Sequence, residues 1–212
     1  RVMSNLAIAH KKAYAIIRRH FPEAPISITS CINDFEPARK WLFPEWLLAK
    51  AANYMGTFYF LNKVRDHLDF IGLNYYFHDR MVWYPPFKVN KNKELTDSGW
   101  EIYPEGIFHV LKMITRKYRK PIIITENGLA DKDDKYRADF IRDHLEYVHR
   151  AITDGADVRG YCHWSLLDNF EWDDGFTERF GLYGVDFKTF VRTARPSAEI
   201  YSEICKNNGI SV

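Results

Sequence analysis

The sequence predicts an α/β fold with a parallel sheet, which fits half of an eight-stranded (β/α)8 barrel. Four apolar strand segments alternate with helices along the 212 residues. The segment at residues 121–125 (PIIIT) is an unbroken apolar run, typical of a sheet whose faces are covered. No glycine-rich phosphate loop follows any of these strands, which argues against a doubly wound sheet. Polar and aromatic residues collect where the strands end, the edge at which parallel α/β folds build sites.

The first strand and the helices around it follow from hydrophobic spacing and turn residues. Residues 5–20 carry apolar side chains at helical spacing, and Pro22 and Pro25 end that helix. A short strand is predicted at residues 26–30, and a long helix at about residues 44–65.

Three further strand and helix units follow. Their strands are predicted at residues 70–76, 121–125 and 158–165, and their helices at 104–118, 135–153 and 196–206. Pro104 suits a first helical turn. An irregular polar and aromatic loop follows the first of these strands, and a long loop at residues 166–195 follows the last. Long ordered loops in a compact domain are usually functional.

Four strands do not close a barrel. An isolated half barrel would leave two open strand edges and one uncovered apolar face, both of which favour aggregation. The chain also opens at Arg1, inside a helix and without an initiator methionine. We therefore expect that it is part of a longer protein.

Composition indicates one soluble globular domain and disfavours two classes of partner. The chain is 46% hydrophobic and has 30 basic against 28 acidic side chains, a net charge of +2. This balance is too even for a nucleic-acid or anionic-membrane surface. Three scattered cysteines without CxxC spacing argue against a disulfide framework and a structural zinc. No apolar run approaches the roughly 18 residues of a membrane span, and residues 1–20 read as an amphipathic helix rather than a signal peptide. Together with the cysteine pattern, this makes a reducing, cytoplasmic setting the expectation.

Glu126 is the first candidate for chemistry. It follows the apolar run at residues 121–125, and Asn127-Gly128 supplies a turn that would leave its carboxylate pointing into the site. A rigid strand end suits a nucleophile or general base, because it holds the oxygen close to its target. On spacing alone, a capping or ion-paired glutamate is the commoner interpretation.

Residues 160–187 form the second candidate element. Tryptophan and phenylalanine alternate there with carboxylate and amide side chains. This mixture suits a sugar, whose apolar face stacks on an aromatic ring while its hydroxyls bind carboxylates and indole N–H groups. Ordinary core packing for Trp164 and Phe180, with Glu171 on the surface, remains the alternative.

Three motifs together resemble the retaining β-glucosidases and β-glycosidases of glycoside hydrolase family 1, including their archaeal-like members. They are FIGLNYY, ITENGLAD and GYCHWSLLDNFEWDDGFTERFGLYGVDF, in that order, and ARPSAEIYSEI is similar to the family's closing helix. The resemblance covers essentially residues 1–212. It implies strands five to eight, the C-terminal half of a single (β/α)8 TIM barrel whose N-terminal half is absent from this chain.

The resemblance also implies a role for each matching residue. Glu126 matches the catalytic nucleophile, and Tyr76 matches the tyrosine that hydrogen-bonds it. The remaining matches bind the sugar: Asn74 on the acid/base side, Trp164 as the platform, Glu171 and Trp172 on glycone hydroxyls, and Phe180 as a pocket wall. A carboxylate at position 171 would repel phosphate, so unphosphorylated glucosides, galactosides or fucosides are the expected glycones.

One catalytic group is missing. Retaining glycosidases use two carboxyl groups roughly 5 to 5.5 Å apart. The family's acid/base glutamate lies in an Asn-Glu-Pro motif at the end of strand four, and no such motif occurs here. We expect a retaining β-glycosidase that needs no cofactor or metal and whose isolated 212-residue chain is inactive.

The sequence leaves two other classes of protein open. One is a sugar-binding or receptor-like pseudoenzyme, and the other is a half-barrel module that needs a partner chain. The oligomeric state, including a homo-oligomer, is not fixed by the sequence.

Overall fold

The computed structural model describes residues 1–210. The strands there are, in chain order, β1 (Thr29–Cys31), β2 (Asp34–Pro37), β3 (Ile71–Tyr75), β4 (His78–Met81), β5 (Lys88–Val89), β6 (Ile122–Asn127), β7 (Val158–His163), β8 (Tyr183–Val185) and β9 (Arg192–Ala194). The helices are α1 (Val2–His20), α2 (Phe43–Asn53), α3 (Tyr59–Val64), α4 (Glu105–Tyr118), α5 (Arg137–Thr153) and α6 (Pro196–Asn207).

The main sheet has four parallel strands in the order β1-β3-β6-β7. This confirms the predicted α/β class and the parallel arrangement of a partial barrel. Cys31 pairs with Asn74, and Asn74 pairs with Glu126. These three residues therefore form one row across neighbouring strands.

The hydrophobic core lies between one face of this sheet and the helices. Ile71, Leu73, Ile122 and Ile124 are fully buried and pack in the same cluster as Ile107 and other residues of α4. Side chains alternate between the two faces of a strand, so each of these residues faces the helices. The core therefore fixes the orientation of the two central strands, β3 and β6.

The face of the main sheet that is not packed against helices carries polar residues and cysteines, whereas an apolar face was expected for half a barrel. Thr29, Cys31 and Cys162 are exposed there, and Asn74 and Thr125 are polar. Large exposed apolar side chains lie instead on helices, among them Leu6 and Ile8 of α1, and in loops, among them Trp83 and Phe170. The two ends of the main sheet are β1 and β7, each with one partner strand in the sheet.

Two predicted elements are displaced or interrupted. The first strand begins at Thr29 rather than Ile26, because Ile26 is held by Asp69: its N–H donates to that carboxylate at 2.7 Å. The long helix is split into α2 and α3 by a π-helical turn, Tyr54–Phe58. A Cβ on Gly56 would lie 3.2 Å from the Phe35 ring, so a small residue makes room there.

Two regions predicted as loops contain strands. β2 and β4 pair in parallel and β5 extends them, forming a second sheet. These strands lack the alternation of apolar and polar residues that predicts a strand, because they are rich in charged side chains. The charged side chains pair with each other, and Arg80 Nε donates to Glu36 at 3.1 Å. β8 and β9 form a hairpin within residues 166–195. These strands are too short and too exposed to show a hydrophobic periodicity in the sequence.

None of the helices in residues 1–210 has both the length and the apolar character that a membrane crossing requires.

Candidate active site

Glu126 lies near the carboxyl end of β6 and pairs with Asn74 of β3. The register shifts between Leu73 and Asn74, so Glu126 faces away from the helices although Ile122 and Ile124 of the same strand face them. The Tyr76 hydroxyl donates a hydrogen bond to Glu126 Oε2, although the two residues are 50 positions apart. Burial, and then the hydrogen bond and charge of Glu126, raise the pKa of Tyr76 far above its usual value. The phenol therefore stays protonated and remains a donor to the carboxylate.

The strand end that carries Glu126 is held from both sides. The Thr125 hydroxyl donates to Asn74 Oδ1 at 2.6 Å. The Asn127 amide donates to the Tyr75 carbonyl at 2.8 Å, and its oxygen accepts the Tyr161 hydroxyl at 2.8 Å. Thr125 and Asn127 are thus hydrogen-bonded to β3, and Asn127 also to β7. These bonds hold the backbone that carries the Glu126 carboxylate.

Gly128 brings Trp164 close to Glu126. The Trp164 N–H donates to the Asn127 carbonyl at 3.0 Å. A Cβ on Gly128 would lie 1.8 Å from the Trp164 carbonyl oxygen, so only glycine permits this approach. The predicted sugar platform therefore sits directly beside the end of β6.

Glu171 joins the same cluster. The Trp164 indole N–H donates to Glu171 Oε1 at 3.2 Å. Burial raises the pKa of Glu171, and the negative charge of Glu126 adds to the rise. The structure thus brings Glu126, Tyr76, Trp164 and Glu171 together on one side of the sheet.

The other predicted sugar-binding residues occupy different environments. Phe180 is 4% exposed and its ring meets Tyr76 edge-on at 6.2 Å. Asn74 is buried beside the site and accepts the Thr125 bond. Trp172 is 82% exposed in a short 3-10 turn, so its contact with a sugar stays a prediction.

Sequence reasoning missed Trp100. Its ring lies 5.9 Å from Tyr76, 5.1 Å from Phe77 and 6.3 Å from Phe180. We call these four residues the aromatic wall. The sequence feature that could have indicated Trp100 is a single tryptophan in a polar segment, shortly before the helix start at Pro104.

His163, Asp168 and Glu171 lie in the segment that carries Trp164. Among residues 1–210, no group of three metal-binding side chains is placed to hold an ion. Asp168 has a structural environment: Arg195 NH1 donates to it at 3.0 Å and the Gly181 N–H at 2.9 Å. Burial acts against ionisation, but these donors keep the pKa of Asp168 below its usual value. Asp168 thereby anchors the loop that carries Glu171.

His144 of α5 and His163, the last residue of β7, are uncharged. His144 is fully buried, and both ring nitrogens of His163 are buried among the described residues without a hydrogen-bond partner. Burial lowers the pKa of each to about 3. In the unfolded chain a histidine titrates near 6.5, so between these values the unfolded state binds more protons.

We therefore expect the free energy of unfolding to fall by roughly 1 kcal/mol per pH unit for each histidine as the pH drops below about 6.5. Denaturant unfolding between pH 7 and pH 5 measures this slope. Leucine at positions 144 and 163 should flatten it, whereas His149→Gln, at an exposed position, should not. An unchanged slope in the double variant would show that other groups govern acid stability.

Four parallel strands with helices packed on them form the architecture of a partial (β/α)8 barrel, and one strand end carries a carboxylate near an indole and a second carboxylate. The chain belongs to glycosyl hydrolase family 1, whose family model matches residues 60–210. That match covers β3 with Tyr76 directly after it, the strand of Glu126 and the loop of Glu171.

Individual relatives agree with the family match. The chain is 35% identical to a 1,4-beta-D-glucan glucohydrolase of Thermotoga neapolitana, covering 98% of this chain and 56% of the relative. It is 33% identical to a beta-galactosidase of Saccharolobus solfataricus, covering 100% of this chain and 49% of the relative. The solved beta-glycosidase from Pyrococcus horikoshii superimposes with a TM-score of 0.89 at 37% identity, over 100% of this chain and 54% of that structure. The chain thus spans about half the length of these relatives.

Proposed function

We propose that this chain supplies the nucleophile and most of the glycone pocket of a retaining β-glycosidase. The observation that carries the proposal is the hydrogen bond from Tyr76 to Glu126 at the end of β6, with the Trp164–Glu171 pair beside it. In this proposal residues 1–212 are the C-terminal half of a (β/α)8 barrel, and the N-terminal half supplies the acid/base glutamate.

The reaction would be a double displacement. The Glu126 carboxylate attacks the anomeric carbon while the bond to the aglycone oxygen breaks, and the acid/base residue gives that oxygen a proton. The same residue then removes a proton from water, whose oxygen attacks the anomeric carbon and releases Glu126. Two inversions at one carbon return the β configuration.

The neighbouring residues fit this chemistry. Tyr76 orients Glu126 and stabilises its charge, which an O–H donor does most strongly for an ionised acceptor. Trp164 offers a stacking face, and Glu171 and Trp172 offer an acceptor and a donor for glycone hydroxyls. Phe180 would be a wall of the pocket, and Asn74 would act on the side of the acid/base group.

The expected glycone is unphosphorylated. Glu171 carries a carboxylate where a phosphate would meet like charge. Relatives named as a glucan glucohydrolase and as a beta-galactosidase support β-glucosides and β-galactosides as the substrate class. The proposed reaction needs no cofactor. We also propose a cytoplasmic location, because the three cysteines are free thiols, which a reducing compartment maintains. The proposal does not specify an oligomeric state.

Covalent labelling tests the nucleophile. A 2-deoxy-2-fluoro β-glucoside with a good leaving group slows release of the glycosyl-enzyme, so the complete barrel protein should accumulate one adduct. Peptide mapping should place it on Glu126. An adduct on any other residue would refute the assignment, and competition by glucose-like inhibitors serves as the control for site binding.

A further inference from the structure

A buried ion pair next to the site has no part in the proposed reaction. It joins Arg80 of β4 to Glu101, the residue after Trp100. The Glu101 side chain is 0% exposed and that of Arg80 is 10% exposed. Arg80 NH1 donates to both carboxylate oxygens of Glu101. Buried charges are tolerated only when they are paired and hydrogen-bonded, so this contact defines where Glu101 must lie.

Backbone groups complete the surroundings of Glu101. The N–H groups of Lys91 and Asn92 donate to its Oε1 at 2.9 and 2.5 Å. Burial acts to raise the pKa of Glu101, but the bonds from Arg80, Asn92 and Lys91 keep that pKa below its usual value. Glu101 is therefore ionised and held by four donor contacts from two segments.

The pair is anchored to the second sheet. Arg80 Nε also donates to Glu36 of β2 at 3.1 Å. The His78 ring lies between the two carboxylates, 3.1 Å from Glu101 and 3.4 Å from Glu36, and stacks on Tyr103 at 3.8 Å. β2, β4 and the segment before α4 are thus joined through the side chains around Arg80.

Trp100 connects this network to the site. The chain turns tightly before it, because the Thr96 N–H donates to the Trp100 carbonyl at 2.8 Å. Asp97 fixes the far side of the turn, through its N–H to the Ala130 carbonyl at 2.9 Å. Glu101 fixes the near side, so displacement of Glu101 would displace the Trp100 ring from Tyr76.

We propose that Arg80 and Glu101 are positioning residues: the pair holds Trp100 in the aromatic wall, and Trp100 holds the Tyr76 ring so that its hydroxyl reaches Glu126. This inference rests on the proposed role of Glu126 as the nucleophile. Neither Arg80 nor Glu101 touches the substrate in this scheme.

A double-mutant cycle on the complete barrel protein tests the proposal. The measurement is the rate constant of covalent labelling of Glu126 by the 2-deoxy-2-fluoro β-glucoside. Tyr76→Phe should slow labelling about 10- to 100-fold, the effect of losing a hydrogen bond to a charged group. Glu101→Gln should slow it about 10-fold through misplacement of Tyr76. The double variant should label as slowly as Tyr76→Phe alone, because both changes remove the same contact.

Glu45→Gln is the matched control. Glu45 is also 0% exposed at its side chain and is paired, with Arg39 Nε at 3.0 Å, but it lies on α2 outside the aromatic wall. It should lose stability without slowing the labelling. If Glu101→Gln does not fold, Arg80→Gln/Glu101→Gln replaces it, since that variant leaves no unpaired buried charge.

The outcomes separate the two proposals. Labelling at Glu126 with losses that multiply in the double variant would overturn the positioning role alone. Labelling at Glu126 that is equally fast in wild type and Glu101→Gln would do the same. Wild-type labelling at another residue would overturn the proposed function and this inference with it.

Discussion

Glu126→Gln in the complete barrel protein should abolish turnover, with kcat reduced at least about 10⁴-fold, as when other covalent nucleophiles are removed. The amide has nearly the same size, and its oxygen can still accept the Tyr76 hydrogen bond. It lacks the charge needed to form a glycosyl ester with the anomeric carbon. Sugar binding should therefore survive, which calorimetry with a substrate or product measures beside the kinetics.

Two companion variants sharpen this prediction. Glu146→Gln changes an exposed glutamate of α5 and should keep wild-type kinetics. Glu126→Ala leaves a space on the face from which the nucleophile attacks, and azide in that space should restore turnover of an activated β-glucoside. One displacement gives the α-glycosyl azide. Near wild-type turnover by Glu126→Gln, or a β-azide product, would contradict the assignment.

The isolated chain of 212 residues should show no measurable glycosidase activity. The chain contains the proposed nucleophile Glu126 but not the proposed acid/base residue, which contributes roughly 10²- to 10⁴-fold to such reactions. An open pocket would also admit water and lose sugar contacts. The measurement is hydrolysis of an aryl β-glucoside by the purified chain, with circular dichroism to show that it is folded.

The control for this prediction is completion of the barrel. Co-expression with the N-terminal half of a family relative should pair the open edges of β1 and β7 and restore activity. The same co-expression with Glu126→Gln should stay inactive. Robust hydrolysis by the folded chain alone would show that the acid/base group lies within residues 1–212.

Much of the architecture could be predicted because it depends on local patterns. The apolar run at residues 121–125 became β6, and the amphipathic segment at 104–118 became α4 with its start shifted by one residue. The parallel sheet followed from strands alternating with helices. Glu126 and Tyr76 could be named because they stand within long motifs.

Other features could not be predicted because their signal is a contact between distant segments. β2 and β4 are strands only through each other, with Asp34 opposite His78 and Glu36 opposite Arg80. Alone, each reads as a charged loop. Trp100 likewise has no local mark of its place, since its neighbours Tyr76 and Phe180 are far away along the chain.

The amino-acid order indicates the four strands of the main sheet and the helices between them, the family that the motifs resemble, and the carboxylate that stands at a strand end. Periodicity reports only on neighbours along the chain. The convergence of Tyr76, Trp164 and Glu171 on Glu126 arises when separate strands meet in register and Gly128 lets two backbones touch. The burial of the Arg80–Glu101 pair arises in the same way, because a charge can leave water only where the folded chain brings it a partner.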